Sequence, residues 1–318
     1  MRETSAPRLD LRQLQYFVFI AEKGSIAAGA AALGMAPATV SEGLANLEAR
    51  LGTPLVLRSV RGVTLTAAGD ALLQHAHDLL QAAEALADAV GRTSQPHGAL
   101  SLALPPSLNV LISVPLAETV QTELPEVRLR LPEGMSGSIL DWVSSESVDM
   151  GFAYEVSGVD GFEARQIFRE ELFLFCAPDF LPDGVRETEA GYVIEPRQLV
   201  DLPLVTSSKR HKTRQFLESW ARRIGVTLKI SSEIESHSQI LEMVKRASAY
   251  TIVPKAAALT PLLTGDLVAV RFEEPVQRSC HIVRKRGRVV TAASLAVEEQ
   301  AIKILKEMNA RFDLKLIF

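Results

Sequence analysis

Apolar positions recur at helical spacing along the first part of the chain and at strand spacing along most of the rest. In DLRQLQYFVFIAEKG, Leu11, Leu14, Phe17, Val18 and Ala21 share one face, which predicts a first helix. GSIAAGAAALG predicts a short second helix, opened by Ser25 and closed at Gly34. MAPATVSEGLANLEARLG predicts a third: Val40, Leu44, Leu47 and Leu51 line one face, and Pro37 suits a first helical position. Gly52 there suits the left-handed residue that ends a helix. Two short helices joined by a tight glycine turn make a helix-turn-helix, whose second member lies in a DNA groove. TPLVLRSVRGVTLT, β-branched around an Arg-Gly turn, predicts a two-stranded wing. Residues 1–66 are therefore expected to form an all-α winged helix-turn-helix domain.

From Ala67 to about Arg92 a long helix is predicted, with Leu72, Leu79, Ala83, Leu86 and Val90 at an approximate 3–4 spacing and alanines beside them. It either packs on its own domain or pairs with a second copy, as a dimerising linker. TSQPHG then breaks it, so 67–96 is read as linker helix and hinge. Strands and helices alternate through 97–318. ALSLAL, VRLRL and VDMGFAY are strands separated by helices in PPSLNVLISVPLAETVQTEL and SGSILDWVSSES. ELFLFCAP, LPLVTS, VTLKISSEI and YTIVP supply a second set, with helices at RHKTRQFLESWARRIG and SQILEMVKRA. LVAVRF, SCHIVRK and a closing helix near Leu295–Asn309 return the chain to the first half. The grammar is two α/β lobes joined by crossing strands, with a cleft suited to a small ligand.

Composition narrows the partners rather than the fold. The net charge of −4 gives no general support for nucleic-acid binding, and residues 1–66 carry only seven Lys/Arg against five Asp/Glu. DNA contact would rest on a few placed arginines, helped by backbone N–H groups and hydroxyls. No apolar run reaches the roughly 18–20 residues of a membrane span. The opening MRETSAPRLDLRQLQ lacks the apolar stretch of a secretory signal, so a cytoplasmic protein is expected. Cys176 and Cys280 make no disulfide framework and are expected to be buried as small apolar residues.

The run LRQLQYFVFIAEKGSIAAGAAALGMAPATVSEGLANLEARLGTPLVLRSVRGVTLTAAG resembles the N-terminal signature of the LysR-type transcriptional regulators. The likeness is carried by Leu11 to Phe17, Gly24-Ser25, Ala30-Ala31, Pro37, Val40-Ser41, Leu47-Glu48, Leu51-Gly52, Leu55, Arg58, Arg61, Leu65-Thr66 and Gly69. PEVRLRLPEGMSGSILDWVSSESVDMGFAY and AYTIVP are similar to the family's effector domain. The resemblance implies a homodimer paired through linker helices, often assembled as a homotetramer, on double-stranded promoter DNA. It also implies an effector domain like the two-lobed solute-binding proteins, whose ligand changes how promoter DNA is held. This chain departs from the pattern at Ala36, where the family usually has Ser or Thr, at a cost of about 1 kcal/mol. Glu42, Gly43, Ala45 and Asn46 stand where the family usually has basic or amide side chains, and Gly29 inside the second helix costs up to about 1 kcal/mol against Ala.

The DNA-reading candidates are Ala38, Thr39, Ser41 and Glu42 in the first turns of the third helix. The methyls of Ala38 and Thr39 suit thymine, and Glu42 suits cytosine N4. Ser41 can instead bond back to its own helix, and Glu42 can be a solvated charge. Arg58 and Arg61 flank the wing turn as cations for backbone or minor groove; Arg12 at the first helix start could touch the flanking backbone. Arg50 either reaches a phosphate or sits as a solvated helix-end charge. The expected result is weak, methyl- and shape-biased reading with a shallow salt dependence, reliant on avidity. The alternative is a ligand-sensing or heterodimerising subunit that has lost sequence-specific reading.

For the ligand, Ser107, Ser207 with Ser208, and His237 with Ser238 stand at helix starts expected to face the cleft, with Ser136 on its rim. Helix starts bind anions, so a small organic carboxylate or similar anion is the expected effector, although each serine could merely cap its helix. The resemblance places effector-contacting hydroxyls at the first two of these starts. His211 and Arg210 are further charge partners. No cofactor or metal is expected. GMSGS lacks the second Gly of a nucleophile elbow, His75 and His77 point to different helix faces, and GxGxxG and P-loop motifs are absent, so catalysis is not expected.

Overall fold

The computed structural model describes residues 9–59, 62–90, 95–156 and 160–318, which leaves Arg61 outside them. The chain divides into two compact units: 1–94 with 289–291, and 95–288 with 292–318.

In the first unit, α1 (Leu11–Lys23) begins at Asp10, whose carboxylate accepts from the Arg12 N–H, and ends at Gly24 with φ 67°. Ser25 caps α2 (Ile26–Ala32) by accepting from the Ala28 N–H. Then α3 (Pro37–Leu51) starts with Pro37 in its first turn and no side-chain cap from Ala36, and ends at Gly52 with φ 68°. Val40, Leu44 and Leu47 are fully buried against Leu14, Phe17 and Ile20 of α1. Leu11, expected on the core face, is 46% exposed. Tyr16 and Ile20 take up the packing instead, because α2 and α3 both lie against that side of α1.

Two glycines explain how tightly these helices sit. A Cβ at Gly29 would stand 3.0 Å from the Ile20 backbone nitrogen, so the lost helix propensity is offset by close approach of α2 to α1. Gly43 lies under Tyr16: a Cβ there would be 2.4 Å from that ring's Cδ2. Gly43 therefore belongs to the core rather than to the outer face of α3. Beyond α3, β1 (Val56–Ser59) and β2 (Gly62–Leu65) form the antiparallel wing. The 24-residue α4 (Ala67–Val90) follows, its Gly69 N–H donating to Thr66 Oγ1 at 3.0 Å. The Leu55 and Val56 N–H groups donate to Glu48 Oε1 at 2.8 and 3.2 Å, tying the loop before the wing to the end of α3.

In the second unit, β3 (Gly98–Ala103) lies parallel between β4 (Val127–Arg130) and β5 (Met150–Tyr154). α5 (Pro106–Glu123) connects β3 to β4, and α6 (Ser136–Ser144) connects β4 to β5. The long β6 (Phe162–Cys176) then crosses to the second lobe. There stand β7 (Arg186–Thr188), β8 (Gly191–Ile194), β9 (Leu204–Thr206), α7 (Lys212–Arg223), β10 (Ile230–Glu233), α8 (His237–Lys245), β11 (Thr251–Pro254), the short α9 (Leu259–Leu263) and β12 (Val268–Phe272). The chain returns through β13 (Val276–Lys285) to α10 (Ala292–Phe312), with a closing β14 (Leu316–Ile317). The main sheet runs β4-β3-β5-β13-β6-β12-β8-β7, with β9 and β10 paired separately in parallel.

The crossing strands are β6 and β13, paired antiparallel along ten registered positions. LVAVRF, expected to cross, stays in the second lobe as β12, while β6 starts nine residues before the ELFLFCAP run. Its early half is charge-rich and largely exposed, with Arg165 paired to Glu298 on α10, so no apolar alternation announces it. The β7–β8 hairpin also escaped the pattern, its first strand being wholly exposed. The β6–β13 register shifts between Cys280 and His281, where β6 holds an extra residue, and such a bulge bends a strand. Cys176 and Cys280 are fully buried, and burial pushes the Cys176 thiol up to about 12.

Beside the bulge, His281 is 8% exposed, and burial lowers its pKa against smaller opposing effects of Glu155 and the Ser279 backbone. The unfolded chain thus takes up this proton at higher pH than the folded chain does. Stability is expected to fall as pH drops below the free imidazole value of 6.5 and to be unaffected by this group above it. Thermal unfolding between about pH 7.5 and about pH 5.5 should therefore show a smaller drop for His281→Gln than for the natural chain. Equal drops would remove His281 as a cause.

Candidate nucleic-acid interface and ligand cleft

On α3, Ala38, Thr39, Glu42, Ala45, Asn46 and Arg50 are exposed, and Ser41 is half-buried. The Ser41 hydroxyl accepts from Arg58 Nη1 at 3.2 Å, so the wing arginine reaches across to the helix. Arg58 and the first turns of α3 therefore share one surface. Its composition is small and hydroxylic, with one carboxylate at Glu42. Arg12 is exposed at the start of α1. The wing is held by a second route: the Val63 N–H donates to the Gly24 carbonyl at 2.7 Å, joining β2 to the end of α1.

Within the second unit, a cleft between the lobes encloses an empty volume of ≈ 670 Å³ continuous with solvent. One wall comes from Pro105 to Ser107, Met135, Ser136 and Tyr154; the other from Thr206, Ser207, His211 to Thr213, His237 and Thr251 to Pro254. Four helix starts converge there, those of α5, α6, α7 and α8, and none carries a side-chain cap bond. The serines near these starts, read as ligand contacts or else as caps, do not cap them. Ser107 Oγ lies 3.1 Å from the Tyr154 hydroxyl, and Ser136 Oγ accepts from the Tyr154 N–H at 3.0 Å. Ser207 is buried in the wall, and His237 Nε2 donates to the Ala257 carbonyl at 2.9 Å. Ser208 and Ser238 are not among the lining residues; Ser238 is exposed and pairs with Ser236 at 3.0 Å. His211 lines the cleft and pairs with Glu235, which Arg210 also approaches at 3.4 Å.

The floor holds a residue that periodicity did not single out. Arg278 on β13 is 4% exposed, and its guanidinium lies 3.6 Å from the Tyr154 ring centroid. Its Nε donates to Glu170 Oε1 at 2.7 Å, its Nη2 lies 2.5 Å from the same oxygen, and its Nη1 donates to Thr213 Oγ1 at 2.6 Å. Glu170, on β6, is fully buried. Burial pushes Glu170 up, and Arg278 and Tyr154 pull it back. For Arg278 burial alone would lower the pKa, but Glu170 and Tyr154 outweigh it and the net direction is upward. The pair is thus a compensated charge, touching the first lobe through Tyr154 and the second through Thr213.

Residues 11–70 match the family described as bacterial regulatory helix-turn-helix protein, lysR family, and residues 93–303 match the LysR substrate binding domain. The nitrogen assimilation regulatory protein nac of Klebsiella aerogenes is 31% identical over 303 residues, 93% of each chain. A cysteine mutant of OxyR from Corynebacterium glutamicum shares the fold at TM-score 0.74 and 22% identity, over 95% of this chain and 94% of that one. CbnR complexed with its target DNA matches at TM-score 0.53 and 23% identity, over 93% of this chain and 99% of that one. A helix-turn-helix unit followed by a two-lobed ligand domain, matched along nearly its whole length, makes this chain a member of the LysR family of DNA-binding transcriptional regulators.

Proposed function

We propose that the chain reads promoter DNA as a homodimer, assembled further into a homotetramer, in the cytoplasm and without catalysis. A small organic anion in the cleft modulates that binding. The observation that carries the ligand reading is the convergence of four helix starts without side-chain caps on one cleft, with Lys212 and Arg278 lining it. Free N–H groups and aligned dipoles there favour negative charge, and the Glu170 carboxylate already answers Arg278. Pairing of two copies is supported by α4, where Leu79 is 45% and Leu86 68% exposed one heptad apart. Among the described residues no helix is long and apolar enough to cross a membrane.

On the DNA side, α3 offers methyls and a hydroxyl to base edges, while Arg58 and the start of α3 serve phosphates. With few cations per copy, the salt dependence per protomer is expected to be shallow. Arg58→Ala is expected to weaken native and scrambled DNA alike and to lower the salt slope by about 1 per protomer. Loss of preference for the native site would instead make Arg58 a base reader. The deciding experiment is fluorescence anisotropy on DNA flanking the chain's own gene, against scrambled DNA, at two salt concentrations and with small carboxylates. Preference for the native site that shifts with a carboxylate supports the proposal. Equal binding to both DNAs favours the ligand-sensing or heterodimerising subunit.

A further inference from the structure

We propose that Arg278 is the residue that selects the ligand, taking one carboxylate on the guanidinium N–H groups that Glu170 and Thr213 leave unused. This rests on the anion reading of the cleft and specifies its chemistry. A guanidinium has five N–H donors in a fixed plane. Nε and Nη2 give one edge to Glu170, and Nη1 gives one N–H to Thr213. Two N–H groups remain, one on each terminal nitrogen, and a planar carboxylate that takes both makes two charge-assisted bonds. Glu170 from one side and the Tyr154 ring at 3.6 Å hold the plane, so little rotamer freedom is left to lose on binding. Arg278 lines the cleft although it is almost fully buried, so a ligand reaching it leaves bulk water.

The charge balance narrows the class further. Arg278 and Glu170 together carry no net charge, so one incoming carboxylate adds one buried negative charge, answered by the starts of α5, α6 and α7. A second charge would have to reach Lys212. Ile240, Val253 and Pro105 offer the remainder of the ligand an apolar wall. The structure thus points to a small monocarboxylate with an apolar body.

The test uses the full chain with propionate and cyclohexanecarboxylate, their uncharged amides, and sulfate, read by calorimetry and thermal shift. The natural chain is expected to bind both carboxylates, cyclohexanecarboxylate more tightly, and neither amide. Arg278→Lys keeps the charge but not the planar set of donors, and should lose carboxylate affinity at least tenfold. Cooperative thermal unfolding of Arg278→Lys without ligand guards against a mere folding defect, and Arg278→Gln, which leaves Glu170 free to take up a proton, should show the same loss. Undiminished binding by Arg278→Lys overturns the assignment while leaving the anionic cleft standing. Sulfate binding without carboxylate binding removes the carboxylate class alone. Amides binding as well as carboxylates, or no probe binding, would end the anion reading with it.

Discussion

Glu170→Leu is expected to destabilise the ligand domain by about 3–5 kcal/mol, because it strands a buried guanidinium without its counter-charge. For a domain of this size that is a fall in Tm of roughly 10 °C. Arg278→Met should cost less. Glu170 can take up a proton once its partner is gone, and burial already pushes it that way, whereas an arginine cannot shed its charge. The double variant Arg278→Met/Glu170→Leu should recover most of the loss, since two apolar side chains replace two charges already removed from water. Denaturant unfolding of the four proteins gives the coupling directly. If Glu170→Leu cost less than about 1 kcal/mol, solvent would be reaching Arg278 and the pair would not be buried in solution.

The second large effect is expected at the wing. Gly62 has φ 124°, a backbone region that disfavours any residue with a Cβ, and such a Cβ would lie 2.5 Å from the Gly24 carbonyl oxygen. Gly62→Ala thus combines backbone strain, about 1–3 kcal/mol, with a contact that cannot be relieved by rotating a side chain. The cheapest relief is to break the Val63–Gly24 hydrogen bond and let the wing swing from α1. The expected result is a sharp loss of DNA affinity together with a lower unfolding temperature for the first unit. Gly24→Ala is a weaker perturbation, because nothing lies within 4 Å of its would-be Cβ and only its φ of 67° is strained. Unchanged DNA binding by Gly62→Ala would show that the wing's tie to α1 is dispensable.

Much of the first unit was legible because its signals are local. The i, i+4, i+7 seam of α3, Pro37 at its start and Gly52 at its end each act within a few residues, and the structure uses all of them. What escaped depends on partners far along the chain. Gly43 reads as a gap on the outer face until Tyr16, twenty-seven residues earlier, is seen on top of it. Arg278 stands one residue before the SCHIVRK run that reads as a strand; Glu170 and Tyr154, which give it meaning, are more than a hundred residues away. The early half of β6 escaped for a different reason. Its exposed Arg165 finds an ion-pair partner in Glu298 on α10, and a strand stabilised that way carries no apolar period. In the cleft, the serines at helix starts were legible as residue types, but not which of them face inward: Ser107, Ser136 and Ser207 line it, and Ser208 and Ser238 do not.

The Glu48 carboxylate bonds to two consecutive N–H groups at the foot of the wing, and the wing's Arg58 reaches back to Ser41 on the same helix. Helix and wing therefore travel as one piece, like the jaws of a gauge locked at a set opening. With the DNA contacts proposed for α3 and the wing, the distance between their two footprints becomes a fixed length of duplex. Insertion of a single base pair between those two footprints should be tolerated less well than a change of base at either one.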